Sequence, residues 1–166
     1  MLIEAFAKAV ERLPDARLVL LGDGPELPAV RDLIAERGLS ERVELPGPQD
    51  DVWPWLAKAH VFALASHYEP LGIAVLEAMA AGLPVVATGV DGIGELVEPG
   101  VTGRLVEPGD PAALAAALAD VLGNPDAARR MGQAGRSFAA GERMDACVDR
   151  YFELYERLLG ERRGAG

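Results

Sequence analysis

Cysteine is nearly absent: Cys147 stands alone, so no internal disulfide can form and the fold must draw its stability from a buried core. Histidine is almost as scarce. His60 and His67 have no thiolate near them and show no metal-ligand spacing, so no metal site is expected. Positive charge is in deficit, with 16 Lys and Arg against 26 Asp and Glu and a formal charge of -10, and aromatic residues make up only 5% of the chain. Such a chain repels a phosphate backbone and offers no basic stripe with interleaved aromatics, which argues against nucleic acid as a partner. Long apolar runs are missing as well. The opening segment, MLIEAFAKAVERL, mixes apolar and charged residues at helical spacing, unlike a signal peptide or a transmembrane segment. Together these absences point to a cytoplasmic protein in a reducing compartment.

What is present is a chain of 166 residues, half of them apolar, enough to bury a single core. Leu2, Ala5, Phe6, Ala9, Val10 and Leu13 recur at helical spacing and predict a helix that ends before Pro14. Next, RLVLLG closed by GDGP reads as a strand and a turn, and residues 26–38 as a helix. The pattern returns in RVELPG with DDVWPWLAKA, in HVFALAS with LGIAVLEAMAAG, and in PVVATG with the short GIGELVE. Strands that are apolar without strict alternation, separated by helices, predict an α/β fold: a Rossmann-like parallel sheet with helices on both faces. Beyond Asp110 the strands cease and helices are expected over 111–122, 126–140 and 142–159, the first opened by the cap pair Asp110 and Pro111. The last carries an apolar stripe of Cys147, Val148, Tyr151, Phe152, Leu154, Tyr155, Leu158 and Leu159 that needs a packing surface. No repeat or linker divides the chain, so one domain is expected over 1–160 with a disordered tail at 161–166.

The most informative segment is SHYEPLGIAVLEAMAAGLPVVA, from Ser66 to Ala87, in which Glu69 and Glu77 stand with seven residues between them. Glu69 belongs to a loop after a strand. Glu77 falls inside the next helix among Ile73, Ala74, Val75, Leu76, Ala78, Met79 and Ala80, which predicts a central helix and a carboxylate that needs hydrogen-bond donors. A pair of ribose hydroxyls supplies two such donors at a spacing that one carboxylate can accept. The helix start at Leu71, Gly72 and Ile73 presents free backbone N–H groups and partial positive charge, and Gly72 allows close approach of a phosphate. These residues share the carboxyl edge of the sheet, where ligands of open α/β folds bind. Plainer readings fit some of the same residues. Glu77 can be a carboxylate tied to a neighbouring backbone turn, Glu69 a solvated loop residue before Pro70, and GDGP a strand-to-helix turn. His60 reads as a helix end and His67 as a loop residue, neither with a catalytic role. Cys147, Phe152 and Tyr155 read most simply as core or interface residues.

This segment resembles the E-x7-E signature of retaining glycosyltransferases of GT-B architecture, typified by glycosyltransferase family 4. Upstream, LVLLGDGPELPAVRDLIAERGLSERVELPG is similar to the family's strand, turn, helix and next strand. Downstream, PVVATGVDGIGELVEPGVTGRLVEPGDPAALAAAL is similar to its continuation, so nearly the whole chain is covered. The resemblance implies a C-terminal domain that binds a nucleoside-diphosphate sugar as donor substrate, with Glu69 at the transferred sugar and Glu77 on the ribose. Leu71, Gly72 and Ile73 would supply amides to the diphosphate. Gly92 and Glu95 resemble a loop near the donor sugar, although a turn and short capped helix account for them nearly as well. The family implies retention of anomeric configuration, with no cofactor and no obligatory metal.

The family also places a strand and an Arg…Lys-Gly loop before the segment that MLIEAFAKAV resembles, and an N-terminal acceptor domain before that. Neither has a counterpart in these residues, so the first strand, central in a 3-2-1-4-5-6 order, is expected to be missing. Its neighbours would then either close up, pair with another segment or leave open edges. The expected partners are a nucleotide sugar, an unknown acceptor and the missing N-terminal acceptor domain. The rival expectation is a non-catalytic nucleotide-sugar-binding module or truncated remnant, and an epimerase or phosphorylase on the same architecture is a third possibility.

Overall fold

The computed structural model describes residues 1–141, 151–153, 155 and 157. The amphipathic opening forms α1 (Leu2–Arg12), which buries Ile3, Ala5, Phe6 and Ala9. Alternation of strand and helix follows as β1 (Leu18–Leu21), α2 (Leu27–Glu36), β2 (Val43–Gly47), α3 (Trp53–Leu56), β3 (Phe62–Leu64), α4 (Ile73–Ala80), β4 (Val85–Thr88), α5 (Ile93–Leu96) and β5 (Gly103–Val106). Two helices, α6 (Pro111–Leu122) and α7 (Pro125–Gly141), close the regular part. The helix expected over 142–159 lies mostly outside the described residues. Of its stripe, Tyr151, Phe152 and Tyr155 are described as helical and exposed, with the two tyrosine rings stacked at a centroid distance of 6.5 Å. The tail at 161–166 is outside them as well.

All strand pairings are parallel, and they form two ladders: β1 with β2, and β3-β4-β5 in that order. No ladder joins β1 to β3 among the described residues, so the two halves do not close up. β4 is the interior strand of its ladder and is buried at all four positions. β1, by contrast, alternates between half-buried and exposed residues, and Val19 and Leu21 face solvent. Its free edge runs along the open seam.

Across that seam lies α1. Ala5 and Ala9 pack with Val86 of β4 and with Leu114, Ala115, Leu118 and Val121 of α6. Ile3 and Phe6 pack with Ile34 and Leu39 and against Leu18, Leu20, Val43 and Leu45 of the other ladder. One helix therefore shares its apolar residues between both halves. The small Ala5 and Ala9 let it lie close on α6, while the large Phe6 fills the space over the shorter ladder. Each large aliphatic or aromatic side chain buried in this way contributes about 1.5–3 kcal/mol.

The cap of α6 is the one read from the sequence. Asp110 Oδ1 accepts hydrogen bonds from the amides of Ala112 (3.0 Å) and Ala113 (2.9 Å), and Pro111 occupies the first turn. These amides would otherwise lack partners. Asp110→Ala should therefore destabilise the protein by about 1 kcal/mol, and Asp110→Ser by clearly less, in urea unfolding followed by circular dichroism.

Candidate functional site

Parallel strands send their following loops to one edge, and the loops after β3 and β4 meet there. Thr88, fully buried at the end of β4, donates its hydroxyl to the carbonyl of Ser66 at 2.6 Å and ties the two strand ends together. Glu69 follows three residues later. Its carbonyl accepts the N–H of Gly92 at 3.2 Å, and its own N–H donates to Asp91 Oδ2 at 3.4 Å. Both backbone polar groups of Glu69 are thus held by the loop after β4.

Steric fit reinforces those bonds. A Cβ on Gly92 would run into the carbonyl of Pro70, and one on Gly72 would lie 2.7 Å from Ile93 Cδ1 and 2.9 Å from Leu96 Cδ1. Gly72 also has φ 68° and ψ 39°, the left-handed region that glycine enters without penalty, and it is the N-cap of α4. The left-handed backbone is what favours glycine here, and its lack of a side chain leaves room for the terminal methyls of Ile93 and Leu96 against the start of α4.

The side chain of Glu69, half-buried, turns back to this helix start, where Oε1 accepts the N–H of Gly72 at 3.1 Å. A carboxylate here satisfies an orphan amide and lies at the positive end of the helix dipole. Of the three amides expected to face a diphosphate, that of Gly72 is thus already engaged, whereas those of Leu71 and Ile73 have no hydrogen-bond acceptor among the described residues. The fold brings Glu69, Leu71, Gly72 and Ile73 together at the carboxyl edge, with Glu77 one turn along the helix from Ile73.

Two expectations need correction. Helix α4 is not enclosed on every side: Val75, Ala78 and Met79 are buried, but Ile73 is 59% exposed and Glu77 is half-buried. An all-apolar helix gave no signal for which face would be covered, and the packing of β4 and α7 covers only one. The Glu77 carboxylate therefore reaches solvent and has no hydrogen-bond partner among the described residues, which removes the plain reading of a buried, turn-bound group. His60 is likewise not a helix end, because α3 stops at Leu56 and an exposed turn follows. Tyr68, Leu71 and Ile73, all more than half exposed, line the approach to Glu69 with apolar surface. The hollows beside β1 and β2, lined by Arg17, Val19 and Glu44 in one and Arg31, Ile34 and Ser40 in the other, contain neither Glu69 nor Glu77.

Sequence reasoning missed Thr88 and Asp91. Thr88 had a signal, a polar residue closing an apolar strand. Asp91 had a weaker one, since an Asp-Gly pair reads as an ordinary turn.

A parallel α/β sheet with helices on both faces agrees with the resemblance to GT-B glycosyltransferases, and comparison with known proteins shows the family. The profile of the family described as "Glycosyl transferases group 1" matches residues 1–138. The chain belongs to that family. It is 36% identical over 158 residues to the N-acetyl-alpha-D-glucosaminyl L-malate synthase of Bacillus anthracis, an alignment that covers 95% of this chain and 41% of that protein. Among solved structures, it superimposes on the sucrose-phosphate synthase of Thermosynechococcus elongatus with a TM-score of 0.85 and 32% identity, over 96% of this chain and 43% of that one. It likewise matches Anabaena Alr3699/HepE, solved in complex with UDP-glucose, with a TM-score of 0.83 and 30% identity, over 96% of this chain and 44% of that one. The chain thus spans less than half the length of each of these three proteins. No helix among the described residues is long and apolar enough to cross a membrane.

The contact between the two loops sets a stability expectation. Gly92→Ala should lower stability by about 2 kcal/mol, because the added methyl meets backbone that cannot swing aside. Gly94→Ala, where a Cβ meets nothing within 4 Å, should leave it nearly unchanged. Thermal unfolding of the two variants side by side checks the pair.

Proposed function

We propose that this chain is a donor-binding domain that holds a nucleoside-diphosphate sugar at the start of α4, for retaining transfer of the glycosyl group to an acceptor bound by an N-terminal domain. The observation that carries this reading is the Glu69 carboxylate on the Gly72 amide, which marks the helix start as a place where an anion is stabilised. In this reading the diphosphate takes the amides of Leu71, Gly72 and Ile73, and Glu69 is displaced from Gly72 toward the transferred sugar. Positive charge that develops at the anomeric carbon as the bond to phosphate breaks is then stabilised by the Glu69 carboxylate. Glu77, one helical turn beyond Ile73 and open to solvent, accepts hydrogen bonds from the ribose hydroxyls. No cofactor beyond the nucleotide sugar is required. A relative solved with UDP-glucose supports the class of ligand.

Calorimetric titration of the full chain with UDP, GDP and ADP tests the reading, with circular dichroism to show that each variant is folded. One nucleotide should bind, and Glu77→Ala should weaken it at least about tenfold, the loss expected for hydrogen bonds to a charged group worth about 1.5–3 kcal/mol. Absence of binding to the folded chain, or equal binding by Glu77→Ala, would overturn it.

Glu69 gives an effect of opposite sign. A carboxylate and a diphosphate compete for one amide, so Glu69→Gln should bind the bare nucleoside diphosphate more tightly than the native chain. Charge at a helix start is worth about 0.3–1 kcal/mol, a gain of up to about fivefold in the same titration.

A further inference from the structure

The loop after β4 contains the one non-glycine residue with positive φ among the described residues, Asp91 at 35°. Left-handed backbone is unfavourable for residues with a side chain, although Asp tolerates it better than most, and such strain persists where surrounding contacts enforce it. The Asp91 carbonyl accepts the N–H of Gly94 at 3.3 Å at the start of α5, but its side chain is turned to Glu69. Asp91 Oδ2 accepts the Glu69 N–H, and the turn that Asp91 makes delivers the Gly92 N–H to the Glu69 carbonyl. Gly92 then sits against Pro70 too tightly for any side chain. A turn needed only to lead from β4 into α5 would take glycine at this position without strain.

We propose that Asp91 is a positioning residue that sets the Glu69 carboxylate for its contact with the transferred sugar, a role that rests on the donor-binding function proposed above. Asp91 touches no reacting atom in this reading. It fixes the backbone of Glu69 from the β4 side, so that the carboxylate has a short, defined swing between the Gly72 amide and the sugar. Without that hold the Glu69 N–H loses its partner, and the residue keeps only the Gly92 N–H at its carbonyl and the Gly72 N–H at its carboxylate.

Two substitutions separate positioning from turn formation. Asp91→Gly removes the acceptor and the backbone strain together, while Asp91→Asn keeps an oxygen acceptor and a side chain that tolerates left-handed backbone. Asp91→Gly should therefore melt no lower than the native chain, so a loss of function in it cannot be ascribed to unfolding. The readout is the ratio of affinities for UDP-glucose and UDP, or for GDP-mannose and GDP if the guanine nucleotide is the one bound. Asp91→Gly should shift this ratio at least fivefold toward that of Glu69→Gln, and Asp91→Asn should restore most of the native value. An unchanged ratio in Asp91→Gly, where Glu69→Gln does change it, overturns the proposal and leaves the donor-binding reading standing. Failure of the native chain to bind any nucleotide overturns that reading instead. Amide hydrogen exchange then still decides whether Asp91 positions Glu69, because it needs no ligand. Asp91→Gly should cut protection at Gly72, an amide bonded to Glu69 and not to Asp91, at least fivefold, and unchanged protection there overturns the positioning role.

Discussion

Strand β4 carries the architecture because it is buried on both faces and paired on both edges. The twofold alternation of a strand sends Val86 into the cluster formed with α1 and α6, and Val85 and Ala87 into the one formed with α4 and α5. At its carboxyl end Thr88 reaches across to Ser66, so the strand that organises both layers also fixes where the loop of Glu69 begins. Position at the site is therefore inherited from the core, through the buried Thr88 hydroxyl and through the loop of Gly92 and buried Ile93 packed on Pro70 and Gly72. Loss of packing under β4 would therefore be felt at Glu69.

The site itself is built from backbone more than from side chains. Amides of the α4 start, the carbonyl of Glu69 and the closely packed Gly72 and Gly92 define it, and the charged side chains that take part are carboxylates. In a protein with a formal charge of -10, long-range attraction of an anionic ligand cannot come from the overall field. Affinity for such a ligand at this edge has to arise locally, from aligned peptide dipoles that a carboxylate occupies until something displaces it.

Much of this was legible in the chain. The order of strands and helices, the end of α1 before Pro14 and the Asp110 cap of α6 followed from apolar spacing and from Pro and Asp chemistry, all of which act within a few residues. The clustering of Glu69, Leu71, Gly72 and Ile73 was legible for the same reason, since these neighbours share one turn. What escaped depended on contacts distant in sequence. The bond from Glu69 to Asp91 spans 22 positions, and nothing in either local sequence selects the other. The exposure of α4 was hidden because a helix with apolar residues all round has no pattern to show which face meets the sheet. Here one face meets it and the other, with Ile73 and Glu77, looks outward.

The helix that crosses the open seam also governs how the molecule comes apart. Ladders that share no hydrogen bond have no intrinsic reason to unfold together; what couples them is α1, whose Ile3 and Phe6 serve one and whose Ala5 and Ala9 serve the other. Cooperativity between the described ladders is thus concentrated in about three turns of helix, docked on α6 from far along the sequence. Fraying of α1 would turn one all-or-none transition into two smaller ones, with the short β1–β2 ladder released first and the candidate site, carried wholly by the other ladder, still standing.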